Sequence, residues 1–335
     1  MVFSLIFEIF EEYQKVGFFF RFISIIGIFS LFSAILSVKR LVFEIFFSKG
    51  IDVKTFQTRS GAWAIITGAS EGIGREFSLQ LSRYYFNVVL IARSKDKLEA
   101  LSKEIESLYS VKTIVHIMDF STANAREYEV LKEIIEDLDI KILVNNVGLS
   151  HTMPTPFSLT TPKEIQDITT INCIATLKVT NLVIPGMIRR KSGLILTMGS
   201  FSGIMPTPLL ATYSGSKAFL ITWSQALAEE LKHDGITVQI INSYFVVSSM
   251  SKIKKSSFFI PTPKQFVNSV LNSIGLQRGA ATPYTMTPYP SHSILNWLLE
   301  NVAFKLSRSL VLKQNFKELQ KIRRKALQKL NTSSE

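Results

Sequence analysis

The chain has 335 residues, enough for one large buried core or two modest ones, and neither an internal repeat nor a low-complexity tract breaks it. Its net charge of +12 and 47% hydrophobic content suit contact with an anionic membrane surface, a phosphorylated ligand or nucleic acid. Cys173 is the only cysteine, which excludes an internal disulfide and fits a reducing, cytosol-facing compartment.

Residues 22–38 carry no charge, and Gly17 to Phe20 extend the apolar run on the far side of Arg21. A helix of this kind approaches the ~20 residues that cross a bilayer, with Arg21 near enough to the end to snorkel. Lys39, Arg40, Lys49, Lys54 and Arg59 follow, whereas Glu8, Glu11, Glu12, Lys15 and Arg21 precede or interrupt the run. The positive-inside bias places the downstream domain in the cytosol. The apolar, acidic start, with no small-residue cleavage site, argues against a cleaved signal peptide. Residues 1–58 therefore read as a membrane anchor and linker.

A short apolar run, residues 62–67, ends in Gly68-Ala69-Ser70-Glu71-Gly72-Ile73-Gly74, and a helical pattern through Phe77, Leu79, Leu81 and Tyr84 follows. Strand, glycine turn and helix open a dinucleotide-binding unit. Gly68 permits the tight turn, and Gly72 and Gly74 let backbone approach a pyrophosphate at the helix N-terminus. Gly68, Ser70, Gly72, Ile73 and Gly74 are the candidate contacts. Strands at 87–92, 113–118 and 140–144 alternate with helices at 96–108 and 125–138, which predicts a doubly wound parallel α/β sheet, the Rossmann arrangement, within residues 59–290.

Arg93 ends the second strand, where an acidic residue would grip the ribose of NAD and a basic one accommodates the 2′-phosphate of NADP. It points to NADPH. Asp119 is placed to meet the adenine, although an ordinary loop carboxylate reads equally well. Asn146 and Gly148, after the fourth strand, are placed to line the cofactor channel.

A long helical pattern over 162–190 carries Asn172, a fifth strand at 194–198 ends at Gly199-Ser200, and a helix to about residue 232 carries Tyr213 and Lys217, before a sixth strand at 237–242. Residues four apart share a helix face, so a phenol and an ammonium lie side by side. A free phenol has a pKa of about 10, and a nearby fixed positive charge favours phenolate. The expectation is a proton donor whose pKa Lys217, the positive end of the helix and a bound cofactor's charge together lower.

In order and spacing these residues resemble the short-chain dehydrogenase/reductase family: Thr67-Gly68-x-x-x-Gly72-Ile73-Gly74, Asn145-Asn146-Val147-Gly148, Asn172, Ser200 and Tyr213-x-x-x-Lys217. The resemblance spans residues 60–283. It implies that Tyr213 gives a proton to a carbonyl oxygen as hydride arrives from the nicotinamide. It further implies that Ser200 binds that oxygen, Lys217 holds the nicotinamide ribose and Asn172 holds a water behind Lys217. With the anchor, Ser150, residues 213–219 and Ser243-Tyr244-Phe245-Val246, the chain is similar to the endoplasmic-reticulum branch of very-long-chain 3-oxoacyl-CoA reductases and 17β-hydroxysteroid dehydrogenases. That similarity sets Val246 and Ser248 along the nicotinamide. Ser243 departs from the usual proline of the family, and Ser248 from the commoner threonine.

The implied activity is NADPH-dependent reduction of 3-oxoacyl-CoA in fatty-acid elongation. A hydroxysteroid dehydrogenase and a non-catalytic NADPH-binding scaffold are the competing readings. Residues 245–263 would close over substrate, which is an acyl-CoA or a steroid. Residues 294–312 read as an in-plane interfacial helix, and the basic amphipathic remainder of segment 291–335 suits anionic lipid headgroups. Membrane lipid, other fatty-acid elongation enzymes and a second copy of the chain are the expected partners. Nucleic acid is not expected, because no recognition module accompanies the charge. The end of the chain lacks a dilysine signal. His116, His151, His233 and His292 show no metal-ligand spacing, so no metal is expected; His151 is a candidate to face substrate and His116 reads as a satisfied core residue.

Overall fold

The computed structural model describes residues 2–58 and 61–332. Arg59 and Ser60, where the sequence starts the reductase domain, and residues 333–335 lie outside the described residues. The chain forms two compact units, Met1–Ser48 and Lys49–Glu335.

The first unit is one helix, α1 (Val2–Phe46). Its stretch Gly17–Phe46 is long and apolar enough to cross a membrane. Phe18, Phe29, Leu31 and Phe46 are all more than 60% exposed, an arrangement that water disfavours and lipid rewards.

The second unit begins earlier than the sequence suggests. Gly50 and Ile51 donate backbone hydrogen bonds to the carbonyls of Asn272 and Ile274, and Val53 and Phe56 are buried in the core. Residues 49–58 thus belong to the compact unit rather than to a linker. The segment after residue 290 also belongs to it, since Ser291, His292, Ser293 and Asn296 are buried.

Seven parallel strands form the sheet in the order β3-β2-β1-β4-β5-β6-β7. They are β1 (Trp63–Thr67), β2 (Asn87–Ala92), β3 (Thr113–Ile117), β4 (Ile140–Asn145), β5 (Gly193–Met198), β6 (Ile236–Ile241) and β7 (Thr285–Met286). Six of them lie where apolar runs predict strands. The seventh has no such run.

Helices cover both faces. On one side α2 (Gly72–Arg83), α3 (Lys95–Leu108) and α9 (Pro263–Leu271) pack on Ala64, Ile66, Val88 and Leu90. On the other, α4 (Ala125–Ile135), α6 (Ala175–Arg190) and α8 (Ala211–Leu231) pack on Ile65, Val89, Ile91 and Leu143. Neighbours along a strand point to opposite faces, which is why the strands read as continuous apolar runs. Between β1 and β4 the strand order reverses, and a crevice opens at the carboxyl ends of such strands.

Three departures from the expected helices matter. The pattern over 162–190 is broken into α5 (Pro162–Thr169), a π turn at Thr170–Ile174 and α6. Residues 201–204 form a short helix, α7 (Phe201–Ile204), before α8. The C-terminal region is α10 (Pro290–Leu298), a second π turn (Leu299–Ala303) and α11 (Phe304–Thr332), which is kinked where Ser307 leaves helical geometry. Besides Gly17–Phe46, the only stretch among the described residues that meets the length and hydropathy of a span is Pro162–Arg190, and Ile168, Ala175, Val179 and Val183 bury it in the core.

Candidate active site

The glycine turn leaves β1 at Gly68, whose φ of +68° is a left-handed value that side chains resist. A Cβ on Gly74 would stand 2.2 Å from the Gly68 carbonyl oxygen, so only glycine lets α2 press against the turn. Glu71 precedes α2 without capping it by its side chain, which leaves the first N–H groups of the helix available to an anion. Ser70 and Ile73 are half-buried in the same turn. Asn146 does not simply line a channel. Its amide donates to the carbonyls of Thr67 (3.0 Å) and Gly68 (3.1 Å), which sews β4 to the glycine turn. The Thr67 hydroxyl accepts from the backbone N–H groups of Asn146 and Val147 and completes the seam.

Arg93 is exposed at the end of β2. Hydrogen bonds with Lys97 (2.7 Å) and Ser249 hold the Glu71 carboxyl below its ordinary pKa, and the charges of Lys97 and Arg93 add smaller contributions. Asp119, after β3, accepts from the backbone and hydroxyl of Ser121 (2.9 and 2.7 Å), and these bonds lower its pKa. Arg93, Lys97 and Asp119 therefore cluster on the β2–β3 side of the crevice, apart from the residues described next.

On the β4–β5 side four side chains converge. Asn172 is fully buried within the π turn, and such turns recur at functional sites. Its carbonyl oxygen accepts from Leu149 N–H (2.7 Å), and its amide donates to the Leu149 carbonyl (3.0 Å) and the Ser216 hydroxyl (2.8 Å). Ser216 in turn donates to the Tyr213 carbonyl (2.7 Å). The sequence assigns no role to Ser216 or Thr67, although Thr67 opens the glycine motif and Ser216 lies between Tyr213 and Lys217. Gly148 faces the same point: a Cβ there would lie 3.5 Å from Asn172 Oδ1 and 3.7 Å from Lys217 Nζ.

Ser200, two residues past the end of β5, caps α7 by accepting from Ser202 N–H (3.1 Å). Tyr213 stands in the first turn of α8, with Lys217 Nζ 5.8 Å from its ring centroid. Lys217 is 5% exposed and donates to the Met198 carbonyl (2.8 Å) rather than to the phenol, and burial lowers its pKa to about 8. Burial pushes the Tyr213 phenol up, and a hydrogen bond with Ser200 pulls it partway down. Within the chain's own groups, desolvation of the phenol thus outweighs that bond, and the ammonium is aimed elsewhere.

The loop at residues 245–263 crosses this cleft, with Met250 close to Gly148. Val246 is buried and its carbonyl accepts from Ser248 and Ser251; Ser248 approaches Gly72 across the glycine turn; Ser249 is hydrogen-bonded to Glu71. Ser243 carries no proline, and its carbonyl accepts from Phe201 N–H (3.0 Å), which keeps the exit of β6 fixed to α7. His151 is buried rather than open to substrate, with Nδ1 3.0 Å from Glu164.

A glycine cradle, an uncapped helix N-terminus and two basic side chains fit a dinucleotide, and Gly148 leaves room beside Lys217. A sequence model described as short chain dehydrogenase matches residues 62–257. The chain belongs to the short-chain dehydrogenase family. As a member it is a nicotinamide-dependent oxidoreductase. Among relatives, it is 48% identical over 305 residues to a very-long-chain 3-oxoacyl-CoA reductase of Aspergillus terreus, covering 90% of this chain and 86% of that one. It is 50% identical over 301 residues to the protein of that name in Coccidioides immitis, covering 89% and 86%. Among solved structures, a short-chain dehydrogenase from Sphingobium yanoikuyae in complex with NADPH is similar, with a TM-score of 0.62, 25% identity, and coverage of 74% of this chain and 95% of that one.

Proposed function

We propose that this short-chain dehydrogenase is a membrane-anchored, NADPH-dependent reductase of long or very-long-chain 3-oxoacyl-CoA, producing the 3-hydroxyacyl-CoA of fatty-acid elongation. One observation carries the substrate class. Identity near 50% to proteins named very-long-chain 3-oxoacyl-CoA reductase extends well beyond residues 62–257, into both flanking segments.

In this reading bound NADPH supplies the hydride, with Arg93 and Lys97 at its 2′-phosphate and the glycine turn at its pyrophosphate. The chain's residues manage the carbonyl oxygen and its proton. Ser200 donates a hydrogen bond to that oxygen. Tyr213, kept protonated by burial, gives it the proton. Lys217 lies behind Tyr213, and Asn172 and Ser216 hold the surrounding backbone in register. Val246 and Ser248 flank the nicotinamide, and the apolar Phe258 and Phe259 of the same loop suit an acyl chain. The anchor α1, followed by Lys39 and Arg40, would hold the catalytic unit on the cytosolic side of the endoplasmic-reticulum membrane. The exposed lysines of α11 suit anionic lipid.

Purified protein should oxidise NADPH, in preference to NADH, with a long-chain 3-oxoacyl-CoA. Tyr213→Phe should lower kcat by at least about a hundredfold, the scale expected for losing a general acid. Equal activity of that variant would refute the mechanism, and preference for a steroid ketone in the same assay would overturn the substrate class. NADPH binding without turnover of any carbonyl compound would leave a scaffold.

A further inference from the structure

The C-terminal helix makes contacts that a lipid-facing tail does not require. Along α11, Leu312, Asn315, Leu319, Arg323 and Ala326 are the more buried positions, at helical spacing along one face. Lys313, Lys317, Lys321, Arg324 and Lys325 are exposed. Arg323 is thus the basic residue of this stretch that turns inward. Its guanidinium donates to the Pro154 carbonyl (2.6 Å) and the Thr155 hydroxyl (3.1 Å). Two turns earlier Asn315 reaches the Pro206 carbonyl (3.4 Å).

These two anchor points belong to the loops that frame the catalytic helix. Pro154 and Thr155 follow Leu149, which Asn172 clamps through its N–H and carbonyl. Thr155 N–H donates to the Leu209 carbonyl (2.7 Å). Leu209 has φ of +64°, a left-handed conformation that a leucine holds only when its surroundings impose it. Leu210 then opens α8, and its carbonyl accepts from Ser214 N–H (2.8 Å), next to Tyr213. A path of hydrogen bonds, joined by the Leu209–Leu210 peptide link, therefore runs from Arg323 through Thr155 and Leu209 to the turn that carries the phenol.

We infer that Arg323 is a positioning residue for Tyr213, and that α11 braces the catalytic helix from outside the segment shared with the wider family. Removing the guanidinium releases Thr155, which releases Leu209 to relax toward an ordinary conformation and lets the first turn of α8 shift. Displacements of about 1 Å at a reacting group cost up to roughly a hundredfold in rate.

The test uses the full-length protein in vesicles and the variants Arg323→Ala, Arg323→Lys and Gln328→Ala, the last an exposed position on the same helix. Hydrogen exchange should quicken in residues 150–156 and 205–214 of Arg323→Ala, with no change over 62–92. Its kcat should fall by about tenfold to a hundredfold, while its dissociation constant for NADPH, read by fluorescence, stays within about twofold of wild type. Arg323→Lys keeps one donor and should fall between, and Gln328→Ala should match wild type. Unchanged exchange in the two loops, exchange that quickens everywhere alike, or an unchanged kcat would each overturn the inference. The kinetic arm rests on Tyr213 as proton donor. If wild type reduces no 3-oxoacyl-CoA, that reading falls, and the exchange comparison still decides the brace.

Discussion

His292 gives the sharpest energetic prediction. It is fully buried on α10 among the rings of Phe201, Tyr244, Phe266 and Tyr289. Nε2 lies 2.9 Å from the Phe259 carbonyl and Nδ1 accepts from Tyr244 N–H (3.4 Å), so one neutral tautomer serves both ends of the 245–263 loop. Burial lowers its pKa from 6.5 to about 4, partly opposed by the bond to Phe259. Between these values the unfolded chain binds a proton that the folded chain refuses, so stability is intact above pH 6.5 and is lost progressively toward pH 4. At ~1.36 kcal/mol per pH unit the loss is about 3 kcal/mol. Carboxylates with lowered pKa, such as Glu71 and Asp119, also weaken the fold in acid, so the comparison must be with a variant. His292→Gln keeps a donor for Phe259 and cannot titrate. Denaturant unfolding at several pH values from 7 to 4 should show a shallower acid loss in His292→Gln, by about 3 kcal/mol. Parallel pH profiles in the two proteins would refute the assignment.

Two glycines should respond to alanine with opposite signs. Gly74→Ala meets the Gly68 carbonyl and should destabilise by about 1–3 kcal/mol while weakening dinucleotide binding, whereas Gly215→Ala, with open space around its Cβ, should gain about 0.5–1 kcal/mol by lowering backbone entropy in α8; thermal melts and cofactor titrations check both. On the proposed mechanism, reduction should slow as pH rises through about 8, where Lys217 loses its charge, and a kcat–pH profile without that limb would argue against its part in proton supply.

The sheet was legible because its six long strands are mostly apolar runs, interrupted only by single polar residues such as His116, Lys141 and Gln239, that end in glycine or polar residues. β7 was not, since Thr285 and Met286 lie between Pro283 and Pro288 and pair only with Ile240 and Ile241. The π turn around Asn172 leaves no trace in composition, because its single extra residue changes hydrogen bonding and not the apolar pattern. His116 reads as a satisfied core residue, yet it is half-buried and its Nε2 has no hydrogen-bond partner among the described residues. Arg323 and Arg324 are alike in sequence, and only helix phase separates the one that braces a loop from the one that faces out. Spacing likewise put Lys217 beside Tyr213 but could not tell that its ammonium is committed to Met198.

That last difference changes what the pair is good for. If Lys217 served to make the phenol acidic, Tyr213 would sit partly ionised at neutral pH, and an ionised tyrosine has no proton to give. Burial instead separates the two affinities in the useful direction, with the phenol pushed above 10 and the ammonium lowered to about 8. The resting phenol is then charged with its proton. On the proposed mechanism, once that proton has gone to a carbonyl oxygen, the phenolate is the stronger base of the two, so refilling from the side of Lys217 runs downhill. On the same mechanism Ser200 would temper the asymmetry through its hydrogen bond to Tyr213, which favours the phenolate. Burial of the two side chains would then favour passage of a proton toward the phenolate over the reverse.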